Sequence, residues 1–97
     1  MTRIDARCEP VGEGWRCSVA VRDGTGSTAH AVTVRAADAV RLASDPDAGG
    51  IERLVTTVFE YLLEREPKES ILSSFDLSVV GRYFPDYEHE VRARLGG

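Results

Sequence analysis

The residue types that most often act in catalysis occur in this sequence without the spacing of known catalytic motifs. Serine, histidine and aspartate are all present, but no GxSxG, HExxH or phosphate-binding loop occurs. The glycine-rich run "DGTGST" lies between two predicted strands and precedes no helix, so it favours a hairpin turn over a phosphate site. His30 alternates with Val32 and Val34, and His89 lies on a charged helix face. We therefore expect no catalytic residues, no cofactor and no enzymatic activity; an enzyme with an unrecognised site is an alternative.

Cys8 and Cys17 are the only two cysteines, and they allow redox, metal or disulfide chemistry. The sequence contains no CxxC pair, and a zinc site would have to recruit histidines from distant positions. If residues 9–14 form the first connection between strands, Cys8 lies nearly opposite Trp15 and diagonal to Cys17. Diagonal neighbours are usually beyond disulfide reach. We predict two unjoined cysteines that point into the core and no metal site, and the pattern leaves a redox role open.

Five arginines have the spacing of an anion-binding surface. They alternate with apolar residues along three predicted strands, so they emerge from one face of a sheet, where we count Asp5 as the only acidic side chain. Such a patch attracts an acidic protein, a nucleic-acid backbone, or the acidic second half of another copy. The alternative is a solvated sheet face whose arginines pair with nearby carboxylates. The predicted interaction face consists of Arg3, Arg7, Arg16, Arg22 and Arg35.

A second candidate surface consists of the aromatic residues Tyr83, Phe84 and Tyr87. Tyrosine suits interfaces because it combines apolar area with a hydroxyl group, and we predict that these three residues line a groove for a partner. The alternative is that they are half-buried core residues. The pattern alone does not separate the two interpretations.

The sequence ends in "RARLGG", which is similar to the end of ubiquitin-like modifiers. Paired glycines there fit a narrow enzyme channel because they lack side chains. In those modifiers a strand leads into the tail, whereas a helix precedes this one. Gly96 is better explained as the left-handed residue that ends a helix, so a modifier role is the weakest alternative.

The elements that carry these residues are predicted from hydrophobic period. Alternation with a period of two predicts three strands within residues 1–35, and the runs "EPVGEG" and "DGTGS" favour an antiparallel meander. A weaker helix is predicted in "AADAVRLAS", and a strong amphipathic helix over residues 51–66 is predicted to cover the sheet. Its apolar stripe consists of Ile51, Leu54, Val55, Val58, Phe59, Leu62 and Leu63.

The region after this helix reads as three short helices. Pro67 ends the long helix and opens a helix over residues 68–74, Asp76 caps a second, and Pro85 opens a third. Residues 67–97 carry four basic and five acidic side chains, which disfavours a helix-turn-helix DNA reader. The predicted fold class is therefore α+β: one domain over residues 1–97, with a β-meander in residues 1–35 and a helical part in residues 36–97. A three-stranded antiparallel sheet packs on one long helix beside a C-terminal cluster of short helices.

Bulk composition restricts the partners. The 97 residues fit a single small domain, and a formal net charge of −4 disfavours general binding to nucleic acid or to an anionic membrane. No apolar run is long enough to span a bilayer and no signal-peptide pattern opens the chain, so the expected location is the cytoplasm without membrane association.

One segment resembles a protein family. The runs "EPKESIL", "FDLSV", "YFP" and "YE" between Glu66 and Glu88 resemble a segment shared by a group of small bacterial proteins, chiefly actinobacterial. The resemblance covers the C-terminal half well and the strand region loosely. That group has no assigned activity, so the resemblance implies no catalytic residues.

These observations favour a non-enzymatic interaction or regulatory module. It would bind a protein or associate with itself, for example as a homodimer that completes its sheet or that pairs through the helix cluster. The main alternative is nucleic-acid binding through the arginines. Sheets that bind RNA stack bases on aromatic residues, and the predicted arginine face contains none.

Overall fold

A four-stranded mixed sheet carries all the helices on one side, in a computed structural model that describes residues 1–45 and 47–96. The strands lie in the order β1-β2-β3-β4. The α+β class is confirmed. Along the chain the elements are β1 (Arg3–Val11), β2 (Gly14–Asp23), β3 (Gly26–Val34), α1 (Ala36–Leu42), α2 (Ala48–Leu63), a 3₁₀ turn (Lys68–Ser70), β4 (Ser74–Asp76), a second 3₁₀ turn (Leu77–Val79), α3 (Val80–Tyr83) and α4 (Tyr87–Arg94).

The first three strands form the antiparallel meander expected from their alternating pattern, joined by two tight turns. The first turn contains only two residues between Val11 and Gly14, and Gly12 adopts a φ of 60°, which glycine accepts without steric cost. In the second turn the Asp23 carboxylate accepts a 2.8 Å hydrogen bond from the Thr25 amide. Turn residues that bond their own backbone stabilise a reversal at that point.

The two cysteines are joined, so the prediction of unjoined thiols is wrong. Strand β1 continues to Val11 instead of ending at Cys8, which places Cys8 directly opposite Cys17 with their Cα atoms 4.1 Å apart. A disulfide bridges them. The error came from interpreting residues 9–14 as a connection. Pro10 is compatible with a strand here because β1 lies at the edge of the sheet, where a missing amide hydrogen costs no ladder bond.

A fourth strand corrects the predicted three-stranded sheet. Residues Ser74–Asp76 were expected at the end of one helix and the cap of the next, but they pair in parallel with β3. The Ala31 amide donates a 2.8 Å hydrogen bond to the Ser73 carbonyl, so this segment satisfies backbone groups that β3 would otherwise expose. After Pro67 the helix expected over residues 68–74 is only the 3₁₀ turn Lys68–Ser70.

Helix α2 supplies most of the cover for the sheet, as its stripe predicted, although it spans Ala48–Leu63 and not residues 51–66. Asp47 caps its first turn, accepting a 2.8 Å hydrogen bond from the Gly50 amide. Six of the seven stripe residues are buried, and Leu63 is half-buried. The core lies between this stripe and the inner-facing strand residues Cys17, Val19, Val21, Val32 and Val34.

The C-terminal cluster contains short helices, as expected, but it is built from α3, α4 and two 3₁₀ turns. Asp76 caps its first turn by accepting a 3.0 Å hydrogen bond from the Ser78 amide. Gly96 has a φ of 107°, in agreement with its expected role after the last helix, while Gly97, the other half of the paired-glycine prediction, lies outside the described residues. None of the helices in residues 1–45 and 47–96 combines the length and the hydropathy needed to cross a bilayer.

Candidate interaction surface

No residue in 1–45 or 47–96 covers the face of the sheet that points away from the helices, and we call it the open face. Along β2 the inner residues Cys17, Val19 and Val21 are buried, whereas Arg16 before them and Arg22 after them are exposed. This alternation follows from the pleat of a strand, which points successive side chains to opposite sides. An antiparallel meander that packs on one side only leaves such a face to solvent or to a partner.

The structure places all five arginines of the predicted interaction face in exposed positions at this side of the sheet. Arg3 of β1 lies directly opposite Arg22 of β2, and Arg7 lies opposite Ser18. Arg16 lies opposite Glu9, while Arg35 follows the last residue of β3. The alternation in the sequence therefore places these side chains on one face of the sheet.

Two of the arginines are neutralised and three are not. Arg3 forms an ion pair with Asp5 at 3.2 Å, and Arg35 forms one with Asp76 at 3.1 Å. Within residues 1–45 and 47–96, Arg7, Arg16 and Arg22 have no carboxylate within ion-pairing distance. Three free guanidinium groups on one uncovered face provide donors for an acidic partner.

The charge of the open face differs in sign from that of the rest of the chain. Asp5 is the acidic side chain expected on this face from the sequence, but the register also places Glu9 and Asp76 there. Five basic side chains therefore stand against three acidic ones. Of the 12 basic and 16 acidic residues in the chain, seven and thirteen remain elsewhere. The protein is acidic as a whole and basic on the open face.

Asp76 links the open face to the C-terminal cluster. Burial acts to raise the pKa of this carboxyl, but hydrogen bonds from the amide and hydroxyl of Ser78 and the charge of Arg35 outweigh burial, so its pKa is lowered. Asp76 is therefore ionised at neutral pH while it caps a helical turn and holds Arg35.

The middle of the open face is formed by small side chains. Ser18 and Ala20 of β2 lie beside Ala29 and Ala31 of β3, in a shallow depression of about 470 Å³ that Asp5 and Arg7 border. The described residues that line this depression include no phenylalanine, tyrosine or tryptophan, and the ring of His30, which is among them, is buried on the helix side against Phe59. The floor thus allows close approach of a partner's backbone but provides no platform on which a base could stack.

The predicted aromatic groove is present with two of its three residues. Tyr83, which is 70% exposed, and the half-buried Phe84 line a groove of about 280 Å³ together with Leu72 and Phe75. Tyr87 does not line it: only 1% of this residue is exposed, and its ring lies 3.1 Å from the point where a Cβ on Gly81 would stand. Nothing about the charges around the groove indicates an occupant.

The hydroxyl of Tyr87 is buried and has no hydrogen-bond partner among the described residues. Burial, followed by the negative charges of Glu88 and Asp38, raises the pKa of this phenol to about 12. Tyr87 is therefore a neutral core residue at physiological pH, and its place is in the packing of α4 against the rest of the cluster.

Lys68, the only lysine in the chain, forms a buried anchor that the sequence analysis did not identify. Its Nζ donates to Asp23 Oδ1 at 2.9 Å, to Thr25 Oγ1 at 2.7 Å and to Glu69 Oε2 at 2.6 Å. The carboxylate of Glu69, and then that of Asp23, raise the pKa of Lys68, and Lys68 in turn lowers the pKa of both acids. This contact ties the β2–β3 turn to the segment after α2.

His30 is also a structural residue. Its Nδ1 donates to the Leu72 carbonyl at 2.7 Å, because a carbonyl only accepts, and its Nε2 is hydrogen-bonded to Thr28 Oγ1 at 2.8 Å. Both ring nitrogens are therefore engaged within the fold, and only 6% of His30 is exposed. No group of three or more potential metal-binding side chains comes together in residues 1–45 and 47–96.

Comparisons of the chain with protein-family models, with curated proteins and with solved structures find no significant match. The resemblance of the segment between Glu66 and Glu88 to small actinobacterial proteins therefore stays a prediction.

Proposed function

We propose that the protein is a non-enzymatic interaction module whose open face binds an acidic protein surface. The observation that carries this proposal is the set of three exposed arginines, Arg7, Arg16 and Arg22, without a carboxylate partner in the described residues. An unpaired guanidinium group is a strong donor to carboxylates, because it can form two parallel hydrogen bonds with one acid.

The shape of the face supports a protein partner. Small side chains at Ser18, Ala20, Ala29 and Ala31 form the floor, and Asp5 and Arg7 border it. Arg16 and Arg22 lie two residues beyond this floor, one at each end of it along β2. A helix or strand of a partner can approach such a floor closely while its acidic side chains meet the surrounding guanidinium groups. The arrangement steers an acidic surface toward the face and defines its orientation there.

Nucleic acid fits this surface less well. Base stacking requires an exposed aromatic side chain, and among the described residues that line the depression the only aromatic ring is that of His30, which is buried against Phe59. A nucleic acid also extends past a small patch, and the remainder of the chain, with seven basic and thirteen acidic residues, repels phosphates there. A compact acidic protein surface avoids that repulsion.

A charge-reversal variant tests the proposal. Immobilised poly-glutamate serves as an acidic polypeptide probe and a single-stranded oligonucleotide as the nucleic-acid probe, both titrated at low and at physiological salt. We expect the double variant Arg16→Glu/Arg22→Glu to weaken poly-glutamate binding by about tenfold or more, because two charge-assisted contacts become repulsive.

The matched control is Arg53→Glu/Arg82→Glu, which makes the same change of net charge at two exposed positions outside the open face. It should bind poly-glutamate nearly as the wild type does. Equal binding by both variants would overturn the proposal, and salt-sensitive binding of the oligonucleotide alone would favour nucleic acid instead.

The cytoplasmic location expected from the sequence stays a prediction. The disulfide between Cys8 and Cys17 counts against it, because disulfides persist in oxidising compartments and are rare in the cytosol.

A further inference from the structure

Strand β1 is the long free edge of the sheet, and its hydrogen-bonding groups alternate in direction. The Cα atoms of Cys8 and Cys17 are 4.1 Å apart, close to the spacing of about 4.5 Å that marks a non-hydrogen-bonded pair. The Cys8 amide accordingly points away from β2 and donates to Glu52 at 2.9 Å. The even-numbered residues of β1 therefore present their backbone groups outward, and the odd-numbered residues bond to β2.

The two halves of this edge differ in how their outward groups are satisfied. Beyond Ala6 the edge is closed, since Glu52 occupies the amide of Cys8 and Pro10 has none. At Ile4 and Ala6 the described residues provide no such cap. Ile4 is also only half-buried, whereas its cross-strand neighbour Val21 is 0% exposed, so the inner face is incompletely covered at this end.

We propose that this open half of β1 pairs in antiparallel fashion with β1 of a second copy, around a twofold axis through Ile4. Ile4 then bonds reciprocally to Ile4 of the second copy, and Ala6 bonds to Thr2. The two four-stranded sheets become one continuous sheet of eight strands, with both helical layers on the same side.

The charges along β1 select this register. The side chains that point to the open face are Arg3, Asp5, Arg7 and Glu9, which alternate in sign. With the axis at Ile4, each Arg3 lies opposite an Asp5 of the other copy. A shift of the axis to Asp5 would place Asp5 opposite itself and Arg3 opposite Arg7, so only like charges would meet. Directly opposed like charges destabilise a pair of strands.

A register with the axis at Ala6 also pairs opposite charges, but Glu52 obstructs it. In that register Ile4 of one copy lies opposite Cys8 of the other, and its carbonyl must approach the Cys8 amide. The Glu52 carboxylate already occupies this position at 2.9 Å from the amide nitrogen. Two acceptors cannot share that site without repulsion, whereas the register at Ile4 leaves the hydrogen bond between Cys8 and Glu52 in place.

Charge reversal and rescue on β1 test the proposal with the protein alone, so the outcome does not depend on an acidic partner. Sedimentation equilibrium of the wild type should give twice the chain mass of 10.6 kDa. The variant Asp5→Arg should weaken the dimer by about tenfold, because two Arg–Arg contacts replace the two ion pairs between the copies. It also removes the 3.2 Å ion pair between Arg3 and Asp5 within each copy. The double variant Arg3→Asp/Asp5→Arg should restore the dimer, and far-UV circular dichroism checks that each variant is folded.

The variant Glu9→Arg is the matched control, because it makes the same charge change on β1 outside the paired half. It should dimerise as the wild type does. A monomeric wild type, or an Asp5→Arg variant that dimerises as well as the wild type, would overturn the proposal. The proposal would also be overturned if both Asp5→Arg and Glu9→Arg lost the dimer and the double variant did not restore it. With the axis at Ala6, Asp5 lies opposite Arg7 and Glu9 lies opposite Arg3, so that register predicts this result.

Discussion

At the scale of single residues, Lys68 stabilises the fold more than its place in the sequence suggests. Its ammonium group is buried and donates to three acceptors, so all three of its hydrogens are used. A buried charge that is fully paired is retained at little cost, whereas removal of one partner leaves the others unsatisfied. Lys68 therefore connects the β2–β3 turn to the helical part through hydrogen bonds.

We predict that Lys68→Met lowers the melting temperature by several degrees, because Asp23 and Glu69 lose their common donor. Thermal unfolding followed by circular dichroism measures the effect. The exposed residue Arg82, which forms no ion pair within the described residues, provides the control Arg82→Met, whose melting temperature should stay near that of the wild type. Equal melting temperatures for the two variants would show that the anchor contributes nothing.

The difference in melting temperature between the wild type and Lys68→Met should depend on pH in a direction that the pKa shifts define. Lys68 lowers the pKa of Asp23 and Glu69 in the folded state. The two carboxylates therefore contribute to the free energy of unfolding above their unfolded-state pKa values of about 4, and this contribution is lost as the pH falls below those values. The two acids raise the pKa of Lys68, so its contribution is present below the unfolded value of about 10.4. The difference in melting temperature between the wild type and Lys68→Met should be constant near neutral pH and decrease below about pH 4. A difference in melting temperature that increases in acid would contradict this prediction.

At the scale of elements, regular hydrophobic patterns predicted structure well and short segments did not. The period of two in β1–β3 and the stripe of α2 each repeat several times, so errors at single positions do not change the assignment. Strand β4 contains three residues, too few to show a period, and it exists because β3 has a free edge. The pairing of Cys8 with Cys17 depended on a turn two residues long, where a small error in the strand end changes the neighbour.

Some features of the candidate site were predictable from regular patterns in the sequence, and others were not. Alternation was sufficient to place five arginines on one side of a sheet. Which of them are neutralised was not predictable, since Arg35 is paired by Asp76 from the unexpected strand β4. The burial of Tyr87 depends on Gly81, whose missing side chain admits the ring, and no periodic signal marks such a contact.

The disulfide between β1 and β2 leads to a prediction at this scale. It closes a loop with a sequence separation of 9 residues. A crosslink of this length restricts the unfolded chain and is expected to contribute roughly 2–3 kcal/mol to the free energy of unfolding. Denaturant unfolding with and without a reducing agent measures the difference, and the double variant Cys8→Ala/Cys17→Ala, which should not respond to the agent, is the control. An identical midpoint for the wild type in both conditions would contradict the pairing.

At the scale of the whole molecule, the main feature is the separation of charge between an acidic body and a basic open face. One side of the sheet packs against the helices, the C-terminal cluster and the Lys68 anchor. None of these elements, as the structure describes them, covers the other side, which carries Arg7, Arg16 and Arg22. A charged face that a small domain leaves uncovered is available for recognition, and its charge determines the class of partner. Pairing of β1 with a second copy would double this face without covering it.

An NMR titration of isotope-labelled protein with a short poly-glutamate peptide tests the role of the open face most directly. We predict that the largest amide and guanidinium shifts cluster at Arg7, Arg16, Ser18, Arg22 and Ala31, and that added salt diminishes them. Shifts that cluster instead around Tyr83 and Phe84, or no shifts at low salt, would contradict an interaction module that works through its arginines.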